Sequence, residues 1–301
     1  MKVLVLGGNG FIGNNIVAQL KRKNIEVLVG SRKAGNASVR QIQLQYMLNE
    51  ADWFAELQGV DVVVNSVGIL RERRGENYNQ IHALAPEALA NACARLGVKL
   101  IHISAIGLSE QAKSGFIRSK YFGELAILAS GADAIVVRAS LLDGQNGNGG
   151  AGYGAKWFRR VASWPVQFVM QSNGQDKGVV APLQVTDLGE AIANLCAMNF
   201  DDLPKVIELG GNKILTIPQY LQALRESINK KIALQIAMPK CLVRLASHIF
   251  DALSWTPLSF GHFELMQGYN VPAVNMLPAL LGRRPSGLRT QAACGEFVSV
   301  T

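Results

Sequence analysis

Two spacings of apolar residues alternate along the first two thirds of the chain. Short, β-branched runs at Lys2–Leu6, Glu26–Gly30, Asp61–Ser66, Lys99–Ser104, Ala134–Ser140 and Val206–Leu209 have the length and composition of buried parallel strands. Longer stretches carry apolar residues every three to four positions and predict helices: Phe11–Lys23, the alanine-rich Tyr78–Leu96 stopped by Gly97, Phe116–Ala129 stopped near Gly131, and Thr186–Met198. This alternation predicts an α/β fold, a doubly wound parallel sheet with helices on both faces. Two weaker signals fill a gap. Ile42, Leu44 and Tyr46 alternate at period two, so Arg40–Tyr46 reads as a third strand. Asn49 is placed to cap a short helix, Glu50–Gln58, ended by Gly59.

The rhythm breaks after Ser140. Asp143–Gly154 is rich in glycine and asparagine and too long for an ordinary connection, so the Gly144–Gly154 loop reads either as a clamp or lid or as a disordered segment. An aromatic, basic helix is expected at Trp157–Trp164 and an added strand at Val166–Met170. Thr216-Ile217-Pro218-Gln219 has the form of a capping box opening a helix to Asn229, and Ile232–Ala237 reads as a strand. Pro239–Thr301 reads as helices punctuated by Pro257, Pro272 and Pro278. The expected division is a main doubly wound domain of 1–144 plus 183–210, with a smaller interleaved lobe of 145–182 plus 211–301.

Between the first strand and first helix stands Gly7-Gly8-Asn9-Gly10-Phe11-Ile12-Gly13. Strand, glycine turn and helix in that order are the fingerprint of a dinucleotide site. Gly7 turns the strand sharply, Gly10 admits a pyrophosphate close to the backbone, and Gly13 lets the helix lie on the strand. The amides that open the helix then face phosphate. Candidate cofactor residues here are Gly7, Asn9, Gly10, Phe11, Ile12 and Gly13. Strand two ends Val29-Gly30-Ser31-Arg32-Lys33, without the carboxylate that would accept a ribose 2′-hydroxyl. Ser31 and Arg32 instead suit a 2′-phosphate, so the expected cofactor is NADP(H).

Composition narrows the class. Of 301 residues, 49% are hydrophobic and 17% charged, enough for a substantial core. No apolar run reaches the roughly 18–20 residues of a membrane span; Cys241–Phe260 is interrupted by Arg244, His248, Asp251 and Pro257. The N-terminus reads as a core strand rather than a signal peptide, so a cytoplasmic location is expected. Cys93, Cys196, Cys241 and Cys294 have no metal-binding spacing and read as reduced thiols. The net charge of +8 fits a solvated basic surface, a phosphate-bearing cofactor, an anionic membrane surface or an acidic protein partner. No nucleic-acid module accompanies it, and no nucleic-acid partner is expected. Trp157, Phe158 and Trp164 beside Arg159 and Arg160 suit a membrane surface, the lining of the smaller lobe or an oligomer face.

Seven ordered landmarks extend the glycine motif: GGNGFIG from Gly7, DVVVNSVG from Asp61, IHISAIG from Ile101, RSKYFGE from Arg118, VVRASLLDG from Val136, VTDLGEAI from Val185 and ELGGNKILT from Glu208. Together they resemble an extended, atypical short-chain dehydrogenase/reductase over about residues 1–230. Within that superfamily the chain is most similar to the group holding the NADPH-binding accessory subunit of mitochondrial complex I and its bacterial relatives. The resemblance implies that Ser66, Val67 and Gly68 pass under the adenine-side ribose and that Lys120 bonds the nicotinamide ribose. It also implies a role around complex I or quinone metabolism, at the periphery of the inner membrane. Active members pair a Tyr with a Lys four residues later and add a Ser at the preceding strand's end. Here Ser104 and Lys120 are in place, but Phe116 stands at the Tyr position. Tyr121 projects about 100° away around the helix. Loss of a placed acid costs roughly 10²–10⁴ in rate. His82 replaces a family Asn and reads first as a packed helix residue, His102 as a core histidine, and Asp187 as structural. The expectation is an NADP(H)-binding protein with weak or altered redox chemistry. The alternatives are an active NADPH-dependent oxidoreductase or sugar-nucleotide epimerase/dehydratase, and an NmrA-like redox-sensing regulator.

Overall fold

A computed structural model of the chain describes residues 1–33, 35, 38–73, 75–144, 153–170, 178–239, 242–244 and 260–287. In chain order its elements are β1 (Lys2–Leu6), α1 (Phe11–Arg22), β2 (Glu26–Ser31), β3 (Val39–Gln41), β4 (Val62–Asn65), α2 (Ala85–Leu96), β5 (Lys99–Ala105), α3 (Gly115–Ala129) and β6 (Ala134–Ala139). There follow β7 (Leu142–Asp143), α4 (Tyr153–Ala162), β8 (Val166–Met170), β9 (Val179–Val180), β10 (Leu183–Gln184), α5 (Val185–Leu195), β11 (Val206–Leu209), β12 (Leu215–Thr216), α6 (Ile217–Glu226) and β13 (Leu234–Met238). Helix Phe260–Gln267, β14 (Tyr269–Asn270) and helix Leu277–Leu281 close the described chain. Seven strands form one sheet in the order β11-β6-β5-β4-β1-β2-β3, with every pair parallel.

Strand periodicity sorts β1 between two cores. Val3 and Val5 pack with Ile16, Leu20, Leu188 and Ile192 of α1 and α5, while Leu4 and Leu6 pack with Trp53, Leu57 and Leu89 on the other face. The winding reverses between β1 and β4, and the crevice at that reversal is where open α/β sheets bind ligands. A third apolar cluster joins Phe158 and Ala162 of α4 to Tyr220, Leu221 and Leu224 of α6. Helix Leu277–Leu281, expected in the smaller lobe, packs instead with α5 in the main core. The capping box at Thr216 and Gln219 is formed, although α6 ends at Glu226 rather than Asn229.

Three expected elements differ. The third strand covers only Val39–Gln41, and Leu44–Tyr46 is a 3-10 turn. Ile42 and Leu44 are buried, but Tyr46 is 72% exposed, so the period-two pattern stops where the chain turns back under the sheet. Glu50–Gln58 is a 3-10 turn only as far as Trp53, held by an Asn49–Asp52 capping box. The long helix expected from Tyr78 is interrupted by a π turn at Gln80–Leu84 before α2 begins. Pro86 supplies the reason. In a regular helix it would face the carbonyl of His82, with no N–H to donate and a ring that collides. A wider turn relieves that clash.

Candidate functional site: a cleft at the first glycine turn

Gly7 takes a left-handed φ of 73°, and its N–H donates to the Gly30 carbonyl at 2.9 Å, tying the turn to β2. A Cβ built on Gly13 would lie 2.2 Å from the Gly7 oxygen, so only glycine lets α1 start this close to the strand. No side chain caps α1 at Gly10. Its first amides therefore have no side-chain oxygen from the cap position, the arrangement that suits an anion.

A cleft of about 460 Å³ opens at the ends of β1, β2 and β4. It brings together Gly7, Asn9, Gly10, Ser31, Arg32, Ser66, Val67 and Gly68 from the sequence-derived set. Phe11, Ile12 and Gly13, in the first turn of α1, do not line it. Asn9 donates from Nδ2 to Ser31 Oγ at 3.1 Å, and Ser66 Oγ donates to the Leu6 carbonyl at 2.7 Å. Buried Asn65 accepts from the Val67 amide and donates to His102 Nδ1 at 3.2 Å, which assigns the His102 proton to Nε2. Sequence reasoning missed Glu76. Its Oε1 accepts from Arg32 Nη1 at 2.9 Å on the same cleft wall. With the partners 44 positions apart, nothing local in the sequence signals that pairing. Lys33 also lines the cleft.

Beyond Gly68 lies the second half of the set. A Cβ on Gly68 would sit 3.8 Å from Lys120 Nζ and 3.6 Å from His82 Nε2. Burial lowers the Lys120 pKa, with Glu124 opposing the shift. Ser104 Oγ, at the end of β5, is buried and has no hydrogen-bond partner. His82 accepts from the Ile69 amide at Nε2, so Nδ1 carries the proton and donates to Ser119 Oγ at 3.0 Å; Ser119 in turn donates to the Phe116 carbonyl. Burial first, then the Lys120 charge, pushes the His82 pKa well below its ordinary value. Buried Phe116 meets Tyr78 and His82 edge-on and stacks on His262 at 5.8 Å between ring centroids. His262 belongs to helix Phe260–Gln267, whose Glu264 accepts from the amides of Lys113 and Ser114 just before α3. Asn270 continues this cover, donating to the Ile106 carbonyl and accepting from Ser140 Oγ.

These residues fit an extended dinucleotide. The set offers a guanidinium at Arg32, amides of α1 without a side-chain cap, an ammonium beside Gly68 and, at Ser104, a buried hydroxyl without a partner.

Other expected residues fall in place. His102 is fully buried, and burial pushes its pKa down to about 3, as a core histidine requires. Asp187, in the first turn of α5, accepts from Arg283 and from the amide and hydroxyl of Ser286 and is structural. The aromatic stripe divides. Phe158 is buried against Tyr220, Arg159 bonds buried Asp143, and Trp164 is 41% exposed. Burial raises the pKa of Cys93 and Cys196 to about 12; Cys241, Cys294 and most of the Gly144–Gly154 loop lie outside the described residues. Among the described residues no His, Cys, Asp or Glu cluster suits a metal, and no helix is long and apolar enough to cross a membrane.

Fold and cleft define a Rossmann-like α/β protein built on a seven-stranded parallel sheet. Residues 1–106 match the family model described as RmlD substrate binding domain. The chain is 24% identical to NADH dehydrogenase (ubiquinone) 1 alpha subcomplex subunit 9, mitochondrial, of Dictyostelium discoideum, over 84% of this chain and 71% of that protein. The Rattus norvegicus protein of the same description is 28% identical over 69% of this chain, and the match spans just over half of its length, 56%. Among solved structures, a Staphylococcus aureus nucleoside-diphosphate-sugar epimerase superposes with a TM-score of 0.72 at 15% identity, covering 96% of this chain and 99% of that one. A Bacillus anthracis dTDP-4-dehydrorhamnose reductase in complex with NADP gives 0.60 at 17% identity, covering 79% and 84%. A Thermus thermophilus UDP-glucose 4-epimerase complexed with NAD gives 0.58 at 21%, covering 87% and 99%. The chain is thus similar in sequence to the complex I subunit and in fold to dTDP-4-dehydrorhamnose reductase.

Proposed function

We propose that this chain binds NADP(H) in the cleft at the first glycine turn and acts through that binding more than through turnover. Neighbours of this fold hold NAD or NADP, which supports a nicotinamide dinucleotide; Arg32 and Lys33 at the end of β2 favour the phosphorylated one. The α1 amides meet the pyrophosphate, Lys120 the ribose hydroxyls and Ser104 Oγ a carbonyl oxygen. The nicotinamide, when bound, supplies hydride chemistry.

The observation that carries the reading is Phe116. Four residues before Lys120 it offers a phenyl ring, locked among Tyr78, His82 and His262, where a proton must be given. His82 is no substitute as it stands. It is neutral, and its one N–H is committed to Ser119. The complex I relatives support a place beside a respiratory protein partner, with binding of the nucleotide stabilising the fold that the partner meets.

Calorimetry and native mass spectrometry test this. NADPH is expected to bind, and Arg32→Gln to weaken NADPH about tenfold while leaving NADH within about threefold. The wild type should not turn over a carbonyl panel, whereas Phe116→Tyr should gain at least about 10²-fold over it. Robust wild-type turnover would favour the active-reductase alternative. Binding of neither dinucleotide at millimolar concentration would remove the reading altogether.

A further inference from the structure

The Arg32–Glu76 pair gives the cleft a second charge of opposite sign where the 2′ group of an adenosine would be read. Glu76 is the fixed member. Its side chain is 13% exposed against 67% for Arg32, and its backbone exchanges two hydrogen bonds with Arg73, both at 2.9 Å. Asn9 and Ser31, bonded to each other, line the same cleft, so the carboxylate faces the adenosine end of the site rather than open solvent.

The acceptor that β2 lacks at its end is therefore delivered by a turn 44 residues further along. Its chemistry is that of an acidic residue at the usual position. A carboxylate there accepts a hydrogen bond from a ribose 2′-hydroxyl and repels a 2′-phosphate. Arg32 and Lys33 do the reverse. A phosphate reaching Arg32 must share the guanidinium with Glu76 or displace it, with two anions then close together.

We infer that Glu76 sets the cofactor selectivity of this cleft: it opposes Arg32, so that the chain accepts both NADPH and NADH and prefers the phosphorylated form only by the difference between the two residues. This rests on the dinucleotide reading above and goes beyond it, by naming a residue that reduces the NADP preference.

The test is calorimetric titration of the full chain with NADPH and, separately, NADH. Glu76→Gln keeps the shape and removes the charge. It should tighten NADPH about tenfold and weaken NADH about threefold. Glu76→Asp, which withdraws the carboxylate from Arg32 by one methylene, should move the ratio in the same direction by less, and it serves if Glu76→Gln does not fold. A ratio of the two affinities that stays within twofold in the variant, or NADPH binding that weakens, overturns the inference while leaving the cofactor site intact. If the wild type binds neither dinucleotide, the cofactor reading fails and this inference with it.

Discussion

His102 shows how much one residue's wiring decides. Its Nδ1 is occupied by the Asn65 amide, and burial holds its pKa at about 3. The unfolded chain titrates the same imidazole near 6.5. Between those values the unfolded state takes up a proton that the folded state refuses. Stability therefore falls as pH drops from about 6.5, by about 1.4 kcal/mol per unit, and levels off near pH 3, where the folded form is protonated too. His82 acts in the same direction. Urea unfolding from pH 7 to 5 should show this slope, and His102→Gln should flatten it by about one proton's worth; equal slopes in the two proteins would sink the assignment. The buried role of His102 was legible in the sequence, because it stands in an apolar strand. Its partner Asn65 was not, since the pairing arises only when β4 and β5 lie in register. Glu76 was hidden for a similar reason: the turn that carries it belongs to no periodic segment.

At the scale of elements, the crossing of α3 over the π turn positions the far half of the site. A Cβ built on Gly123 would lie 1.8 Å from the His82 carbonyl oxygen, so the two segments touch backbone to backbone. That approach keeps Ser119 within 3.0 Å of His82 and keeps Lys120 beside Gly68. Gly123→Ala must push α3 away, at a cost of about 3 kcal/mol or more, the upper end of overpacking. Gly115→Ala, whose added carbon would be 3.5 Å from the Tyr78 ring, should be nearly neutral. Differential scanning calorimetry of the pair checks the contrast, and a Gly123→Ala melting temperature like that of the wild type would refute it. The long strands and helices could be read from periodicity because they fill both faces of one sheet. The π turn could not. It follows from Pro86 meeting the His82 carbonyl, a conflict that apolar spacing does not register. The third strand misled for the opposite reason. Its alternation continues through Leu44, which buries itself in a turn, to Tyr46, which that turn leaves exposed.

Across the described residues, the later chain returns to the parallel-sheet half at several separate places. Asp187 holds Arg283 and Ser286, Asn275 exchanges hydrogen bonds with Gly210, Asn270 binds Ile106 and Ser140, and Glu264 holds the amides before α3. Glu264→Gln leaves one carbonyl oxygen for two amides and removes a charge favoured at a helix start. A loss of about 1–2 kcal/mol is expected, together with faster hydrogen exchange over residues 113–118. Unchanged exchange there would mean that the carboxylate does not hold the helix. The same contact bears on how the protein is made. Synthesis runs from the amino end, so α3 leaves the ribosome 150 residues before the side chain that satisfies its opening amides. Until Glu264 emerges, that end of the helix has only water to bond, and the Phe116 ring lacks the imidazole that later stacks on it. The nascent protein can shape the cleft at its first glycine turn early, whereas the neighbouring aromatic cluster is sealed only once His262 and Glu264 have emerged.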